Sequence, residues 1–160
     1  MEARLSFRIS GIEPGVYAHL IGRDEGELAR LGVERVTVTA PQSAPCRITL
    51  EDAEPGETVL LLSHPHQRAD TAYRQSGPIF IRENASARFV GFDVAPPALA
   101  VRPLSVRAYD EAGAMIDADL VLDGARLPDL IERFWRNSAV AYAHAHYARR
   151  GCFAATIERV

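Results

Sequence analysis

Residues 140–147 read VAYAHAHY, and the fold class depends on whether they form a helix or a strand. Alanine occupies every odd position from 139 to 145, and alanine has the highest helix propensity. Larger side chains fill the even positions, and this alternation favours a strand because successive strand side chains face opposite sides of a sheet. We interpret the stretch as a strand that a turn at residues 149–151 joins to a last strand.

Strand patterns also recur through the rest of the chain. The predicted strands lie at residues 4–9, 33–39, 58–63, 78–82, 100–110, 115–122, 140–147 and 152–160, and residues 46–50 form a short extended segment. Helical patterns lie at residues 14–20, 24–32 and 127–135. Because the helices do not alternate regularly with the strands, the sequence predicts an α+β fold. We expect a mostly antiparallel sheet of seven to eight strands with two or three short helices, in a single domain over residues 1–160.

The composition is that of an ordinary globular chain and excludes several classes of partner. Of 160 residues, 48% are hydrophobic and 24% are charged, and no run of eighteen apolar residues could span a membrane. The N-terminus has no apolar signal segment, so we expect a cytoplasmic protein. All 18 basic residues are arginines scattered along a chain of net charge −3, which predicts no nucleic-acid partner. One or two arginines still suffice to hold a small carboxylate or phosphate.

Cys46 is the candidate nucleophile because it follows a proline-rich loop and precedes Arg47. A neighbouring guanidinium favours the reactive thiolate form of a cysteine, and His144 as a base would complete a Cys–His pair. The alternative is that Cys46 is a small buried hydrophobic residue and Arg47 a structural ion-pair partner. For Cys152 we favour burial, because it begins a predicted core strand.

Arginine and tyrosine side chains provide candidate ligands for a small anion. The candidate residues are Arg47, Tyr73, Arg107, Tyr109 and Arg149. Arginine forks bind carboxylates, and tyrosine hydroxyls can complete the contacts. Spacing places only Arg107 and Tyr109 on a common strand face. Structural salt bridges explain these residues equally well.

Four histidines form two His-x-His pairs, His64 with His66 and His144 with His146. On a strand each pair points to one side, where two imidazoles can hold one metal ion. We favour exposed polar faces instead, and we expect neither a metal nor a cofactor. Residues 64–77 read as a polar loop, and a loop of that length in a compact domain is often functional.

Five short sequence motifs occur together in a characteristic order. They are APCR at 44–47, DAEPGE at 52–57 followed by VLLLS at 59–63, SGPIF at 76–80, VRAYD at 106–110, and RGCF at 150–153. In this order they resemble a bacterial family, domain of unknown function 1203, whose members are short single-domain proteins. The resemblance spans nearly the whole chain, supports a strand at residues 140–147, and implies no activity.

Three functional hypotheses follow from these residues. The first is a module that binds a small anion or other small molecule near Cys46, Arg47 and the loop at residues 64–77. The second is a small thiol-dependent enzyme with Cys46 as nucleophile and His144 as base. The third is a homo-oligomeric interaction protein that forms a homodimer through an exposed strand edge, provided by residues 100–110 or by the last strand.

Overall fold

A computed structural model of the protein describes residues 5–160. They form nine strands and three short α-helices, which confirms the predicted α+β class. The strands are β1 (Phe7–Ser10), β2 (Glu34–Thr37), β3 (Thr58–Gln67), β4 (Gln75–Arg82), β5 (Val90–Phe92), β6 (Leu104–Tyr109), β7 (Met115–Val121), β8 (Tyr142–Tyr147) and β9 (Phe153–Arg159). The helices are α1 (Glu25–Arg30), α2 (Pro97–Ala100) and α3 (Leu127–Trp135). Shorter 3₁₀ turns cover Pro14–Val16, Ala18–Leu20 and Gly124–Arg126.

The strands divide between two antiparallel sheets. The large sheet has the order β5-β1-β9-β8-β6-β7, and the small sheet has the order β2-β3-β4. The stretch that decides the fold is strand β8, which pairs with β6 on one side and with β9 on the other. Its alanines at positions 143 and 145 are fully buried in the core beneath α3. Small side chains let the helix approach this face of the sheet closely.

Helix α3 covers the apolar face of the large sheet. Its buried side chains are Leu127, Leu130, Ile131, Phe134 and Trp135, the spacing from which the sequence predicts the helix. Pro128 occupies the first turn, where its missing N–H leaves no hydrogen bond unmade. Each large apolar side chain buried here stabilises the fold by about 1.5–3 kcal/mol. The Trp135 indole N–H donates to the Ser6 carbonyl oxygen at 3.1 Å, which ties the helix to the N-terminal segment.

The small sheet contains half of the segment predicted to be a long polar loop. Strand β3 continues to Gln67 and β4 begins at Gln75, so only residues 68–74 connect them. The loop prediction is therefore wrong for residues 64–67 and 75–77. Ladder pairing such as His64 opposite Gly77 extends the hairpin despite the polar composition. The inward side of β3 changes from leucine at positions 60 and 62 to histidine at positions 64 and 66.

Residues 46–50 form a tight turn instead of the predicted extended segment. The turn is hydrogen-bonded, with the Leu50 N–H donating to the Cys46 carbonyl oxygen at 3.0 Å. Leu50 has a positive φ of 51°, which allows the chain to reverse there. Cys46 packs in the core of the small sheet, whereas Leu50 packs in the core of the large sheet. The turn therefore lies between the sheets and contacts both cores.

The exposed strand edges differ from those predicted. Strand β6, within the predicted strand at residues 100–110, and strand β9 both have neighbours on each side, and the edges of the large sheet are β5 and β7. Residues 97–100 form α2 because Pro97 starts a helical turn there. Arg4, where the first predicted strand begins, lies outside the described residues. No helix within residues 5–160 is long and apolar enough to cross a membrane.

We expect Gly11→Ala to destabilise the protein by about 2 kcal/mol, a typical cost of overpacking a tight contact. A Cβ at position 11 overlaps the Ile48 carbonyl oxygen and lies 3.0 Å from the Arg47 carbonyl oxygen, so the turn at residues 46–50 must shift. Urea denaturation measures the change. Gly15→Ala is the matched control because a Cβ there meets nothing within 4 Å. Equal unfolding free energies for the two variants would contradict the expectation.

Candidate functional site

One face of the large sheet is polar and points toward the small sheet. On β8 the even positions face this way, and His144 pairs with Arg107 of β6 and with Thr156 of β9. The register of β8 and β9 shifts between Ala145 and His146, so that His146 lies opposite Phe153. This β-bulge brings Phe153 to the same polar face as Thr156, although the two are an odd number of residues apart.

Four imidazoles surround the ring of Phe153 between the two sheets, and we call this group the histidine cluster. The ring centroids of His64, His66, His144 and His146 lie 5.7, 5.1, 5.3 and 5.9 Å from that of Phe153. His66 stacks on Phe153 with only 7° between the planes. The two His-x-His pairs therefore meet, although only as a packed aromatic group.

The histidine cluster is not arranged as a metal centre. No three His, Cys, Asp or Glu side chains in residues 5–160 are placed to hold a metal ion. The Phe153 ring contacts all four imidazoles, and His66 also packs edge-on against His144 and His146. A tetrahedral site requires ligand nitrogens about 2.0–2.1 Å from one shared ion.

Burial keeps the histidine cluster uncharged. It lowers the pKa of His144 to about 3 and the pKa values of His64 and His146 to about 4, with smaller contributions from nearby charges. The Tyr17 hydroxyl lies 2.6 Å from His64 Nδ1. His144 Nδ1 and His146 Nε2 are buried and have no partner within the described part of the chain. These imidazoles therefore stay neutral near pH 7.

Two clefts open beside the histidine cluster. The larger has a volume of about 670 Å³ and includes His144 and Tyr142 in its wall. The smaller, of about 200 Å³, includes His64 and Arg47. Both contain acidic and basic groups, since Glu158 belongs to each. This mixture of charges selects no single class of ligand.

A third cavity is lined by charged side chains that are all basic, and we call it the arginine cavity. It has a volume of about 570 Å³ and lies at the β8–β9 hairpin. Its lining residues are Gln42, Ser43, Pro45, Arg47, Phe80, Val101, Arg102, Pro103, Tyr147, Arg149, Arg150 and Cys152. Four of these are arginines and none is acidic. Cavities of this size accommodate small-molecule ligands.

Arg47 is the most buried charge in this cavity, with 1% of its surface exposed. Its guanidinium donates to the Phe153 carbonyl oxygen at 2.8 Å, to the Pro45 carbonyl oxygen at 2.5 Å and to the Cys152 sulfur at 3.1 Å. It also lies over the Tyr147 ring, 4.9 Å from the centroid. Among residues 5–160 no carboxylate forms an ion pair with Arg47.

The other polar groups of the cavity differ in their partners. Asp52 binds the Arg102 guanidinium through both carboxylate oxygens, at 2.6 and 2.9 Å, and neutralises it. Arg149 and Arg150 are exposed at the hairpin tip. The Tyr147 hydroxyl is buried without a hydrogen-bond partner in the described chain, and burial raises the pKa of this phenol to about 12. It therefore remains a protonated donor at neutral pH.

The structure distributes the predicted ligand-binding residues over separate places. Arg47 and Arg149 share the arginine cavity. Arg107 and Tyr109 lie together with His144 on the polar face, where the Tyr109 and His144 ring centroids are 5.1 Å apart. Tyr73 is exposed on the connection between β3 and β4, away from both groups.

Cys46 and His144, the predicted nucleophile and base, lie in different surroundings. Cys46 is fully buried in the small-sheet core, and its sulfur accepts N–H groups from Ile48, Thr49 and Arg82 at 3.3–3.5 Å. No hydrogen bond joins Cys46 to His144 in residues 5–160, and Cys46 lines none of the three cavities. The thiol-enzyme hypothesis stays a prediction to which this geometry adds no shared site.

Sequence reasoning missed Tyr147, Cys152, Arg102 and Arg150 as members of the cavity. Cys152 is only partly buried, because it lies in the turn before β9 rather than within the strand. The motif at residues 150–153 could have indicated a turn with an exposed Cys152, because arginine and a turn-forming glycine precede the cysteine there. The position of Arg102 opposite Asp52 had no signal, because fifty residues separate them.

Comparison with known families agrees with the resemblance drawn from the sequence motifs. The family described as protein of unknown function (DUF1203) matches residues 43–159. The chain belongs to this family. The resemblance drawn from the five motifs is therefore confirmed. No curated protein and no solved structure matches the chain. In this DUF1203 protein the motifs at residues 44–47 and 150–153 contact each other in the arginine cavity, through the hydrogen bond between Arg47 and Cys152.

We expect acidification to destabilise the protein through the histidine cluster. The folded-state pKa values of His144 and His146 lie below the ordinary value of 6.5, so their full contribution to stability is present above pH 6.5. As the pH falls, the unfolded chain takes up protons first. The free energy of unfolding falls by about 2 kcal/mol for each buried imidazole by about pH 5.

Urea denaturation at about pH 7 and pH 5 measures this loss. His144→Leu removes one buried imidazole, so the difference between the two pH values shrinks by about 2 kcal/mol. His19→Leu is the control because His19 is exposed and lies outside the cluster. A His144→Leu variant with the pH dependence of the unmodified protein would show that the cluster does not titrate in this way.

Proposed function

We propose that the protein binds a small anion, a carboxylate or a phosphate, in the arginine cavity. The observation that carries the proposal is Arg47, a fully buried cation in the cavity wall with no carboxylate partner in the described residues. A guanidinium keeps its proton at all relevant pH values, so its charge persists after burial. Removing a charge from water without a counter-charge costs several kcal/mol. A bound anion supplies that counter-charge.

The hydrogen-bond inventory of the cavity also favours an anion. Arg47 has five N–H groups, and its three observed bonds leave two without a partner. The Tyr147 hydroxyl adds another buried donor. Asp52, the carboxylate that contacts the cavity residue Arg102, is already engaged by it. Unpaired donors therefore outnumber unpaired acceptors, which suits a ligand made of oxygen acceptors.

Arg149 and Arg150 provide the entrance of the cavity. Both are exposed on the hairpin tip and line the hollow above Arg47. Their side chains can fold onto a bound anion, since arginine forks match carboxylate and phosphate oxygens in bidentate geometry. Positive charge focused in a concave site also raises the local concentration of anions. The ligand is small because the cavity holds about 570 Å³.

We expect isothermal titration calorimetry at low ionic strength to detect binding of inorganic phosphate or succinate. The double variant Arg149→Ala/Arg150→Ala weakens binding at least tenfold, because a hydrogen bond to a charged group contributes about 1.5–3 kcal/mol. Arg30→Ala is the control, since Arg30 is exposed on α1 and remote from the cavity. Absence of binding for phosphate, sulfate and a set of carboxylates would refute the proposal.

We expect Tyr147→Phe to stabilise the anion-free protein by about 1 kcal/mol, because a buried hydroxyl without a partner carries a desolvation cost. Phenylalanine keeps the ring that packs on Arg47 and removes only the donor. Saturating phosphate reduces or reverses this advantage, since the tyrosine hydroxyl then gains an acceptor. Urea denaturation with and without phosphate measures both values. A destabilised Phe variant under both conditions would assign Tyr147 a purely structural role.

A further inference from the structure

The arginine cavity also contains a thiol that the proposed anion binding does not use. Cys152 is unpaired and partly exposed, whereas Cys46 is unpaired and fully buried. The Cys152 sulfur accepts an N–H of the Arg47 guanidinium at 3.1 Å. Arg149, Arg150 and Arg102 belong to the same cavity wall. A partly exposed cysteine in an arginine-lined hollow is the setting in which cysteines react.

We propose that Cys152 is a site of covalent modification by small anionic disulfides, which enter the arginine cavity and exchange with its thiol. This inference rests on the proposed function, because the same arginines that hold an anion would hold the carboxylates of the disulfide. Tyr147, whose buried hydroxyl has no partner in the described chain, lines the same cavity.

The chemical step is thiol–disulfide exchange. The Cys152 thiol loses its proton to solvent, and the thiolate attacks one sulfur of a disulfide RSSR. A bond forms between Cys152 and that sulfur, and the original S–S bond breaks. The second sulfur leaves as RS⁻ and takes a proton from water. The incoming disulfide is the only oxidant, so the products are one mixed disulfide and one small thiol.

The position of Cys152 links its modification to anion binding. The attached group occupies the volume that a free anion would fill, and its carboxylate would meet the cavity arginines. Modification therefore blocks phosphate binding, and bound phosphate protects the thiol. Cys46 provides an internal reference, because its sulfur is enclosed by the small-sheet core and accepts three backbone N–H groups.

The test uses three disulfides that share a two-methylene spacer on each sulfur and differ in charge: dithiodipropionate, hydroxyethyl disulfide and cystamine. The full-length protein is mixed with each at neutral pH, and intact mass with peptide mapping follows adduct formation. A synthetic peptide of residues 149–154 contains the local arginines and the cysteine without the cavity. Rates divided by those of this peptide remove the intrinsic reactivity of each disulfide.

We expect a single adduct on Cys152, formed about tenfold faster with dithiodipropionate than with hydroxyethyl disulfide after this correction, and slowest with cystamine. Arg149→Ala/Arg150→Ala lowers that preference, whereas Arg30→Ala leaves it unchanged. Cys152→Ser abolishes the adduct. Phosphate at saturating concentration slows the reaction of the protein but not that of the peptide.

Two outcomes would overturn the inference, and each is distinct from a failure of anion binding. One is an adduct mainly on Cys46, and the other is a charge preference no greater than that of the peptide. Calorimetry of Cys152→Ser with phosphate separates the two proposals. If this variant binds phosphate while the exchange shows no charge preference, the anion site stands and the modification site does not. If phosphate does not bind but the charge preference of the exchange persists, the modification site stands and the anion site does not.

Discussion

The burial of the Arg47 guanidinium between the two sheets is the constraint on which the arrangement of this protein depends. The Arg47 backbone N–H donates to Phe80 of the small sheet at 2.9 Å, and its side chain donates to Phe153 of the large sheet at 2.8 Å. Arg47 therefore joins the two layers, and further backbone bonds of the same turn, such as Ala98 N–H to the Leu50 carbonyl oxygen at 2.9 Å, add to this connection. Because the guanidinium cannot lose its charge, the fold must provide partners for it. It provides carbonyl groups, a sulfur and an aromatic face, but no carboxylate from the described residues.

The two faces of the large sheet serve different purposes. The face beneath α3 is apolar and alanine-rich, so the helix packs closely on β8. The opposite face carries the histidine cluster, whose neutral imidazoles behave as aromatic packing groups around Phe153. Imidazoles in such a place make the interface between the sheets sensitive to acid, because each would have to accept a charge in a desolvated setting. The protonation state of the histidine cluster and the stability of the interface between the two sheets are thus linked.

The two cysteines lie in different surroundings: Cys46 is buried, as in the alternative to a nucleophile drawn from the sequence, whereas Cys152, for which the sequence predicts burial, is partly exposed. Cys46 adjoins an arginine in sequence, yet its sulfur accepts backbone N–H groups inside a core. Cys152 precedes a core strand, yet it faces the arginine cavity and contacts the guanidinium of Arg47. Cys46 and Arg47 are adjacent in the turn at residues 46–50, but their side chains enter different surroundings. The thiol that meets the arginine therefore comes from the far end of the chain.

Local periodicity was sufficient to predict helix α3, the strand character of β8 and β9, and the α+β class. Residue chemistry also made Arg47 and Arg149 candidate anion ligands, and the two residues line one cavity. Tertiary contacts were needed to divide the strands between two sheets, to extend β3 through His64 and His66, and to bring Cys152 rather than Cys46 to the cavity. Pairing with β4 extends β3, whereas contacts between residues about a hundred positions apart bring Arg47 and Cys152 together, and no short window of sequence contains both of those partners.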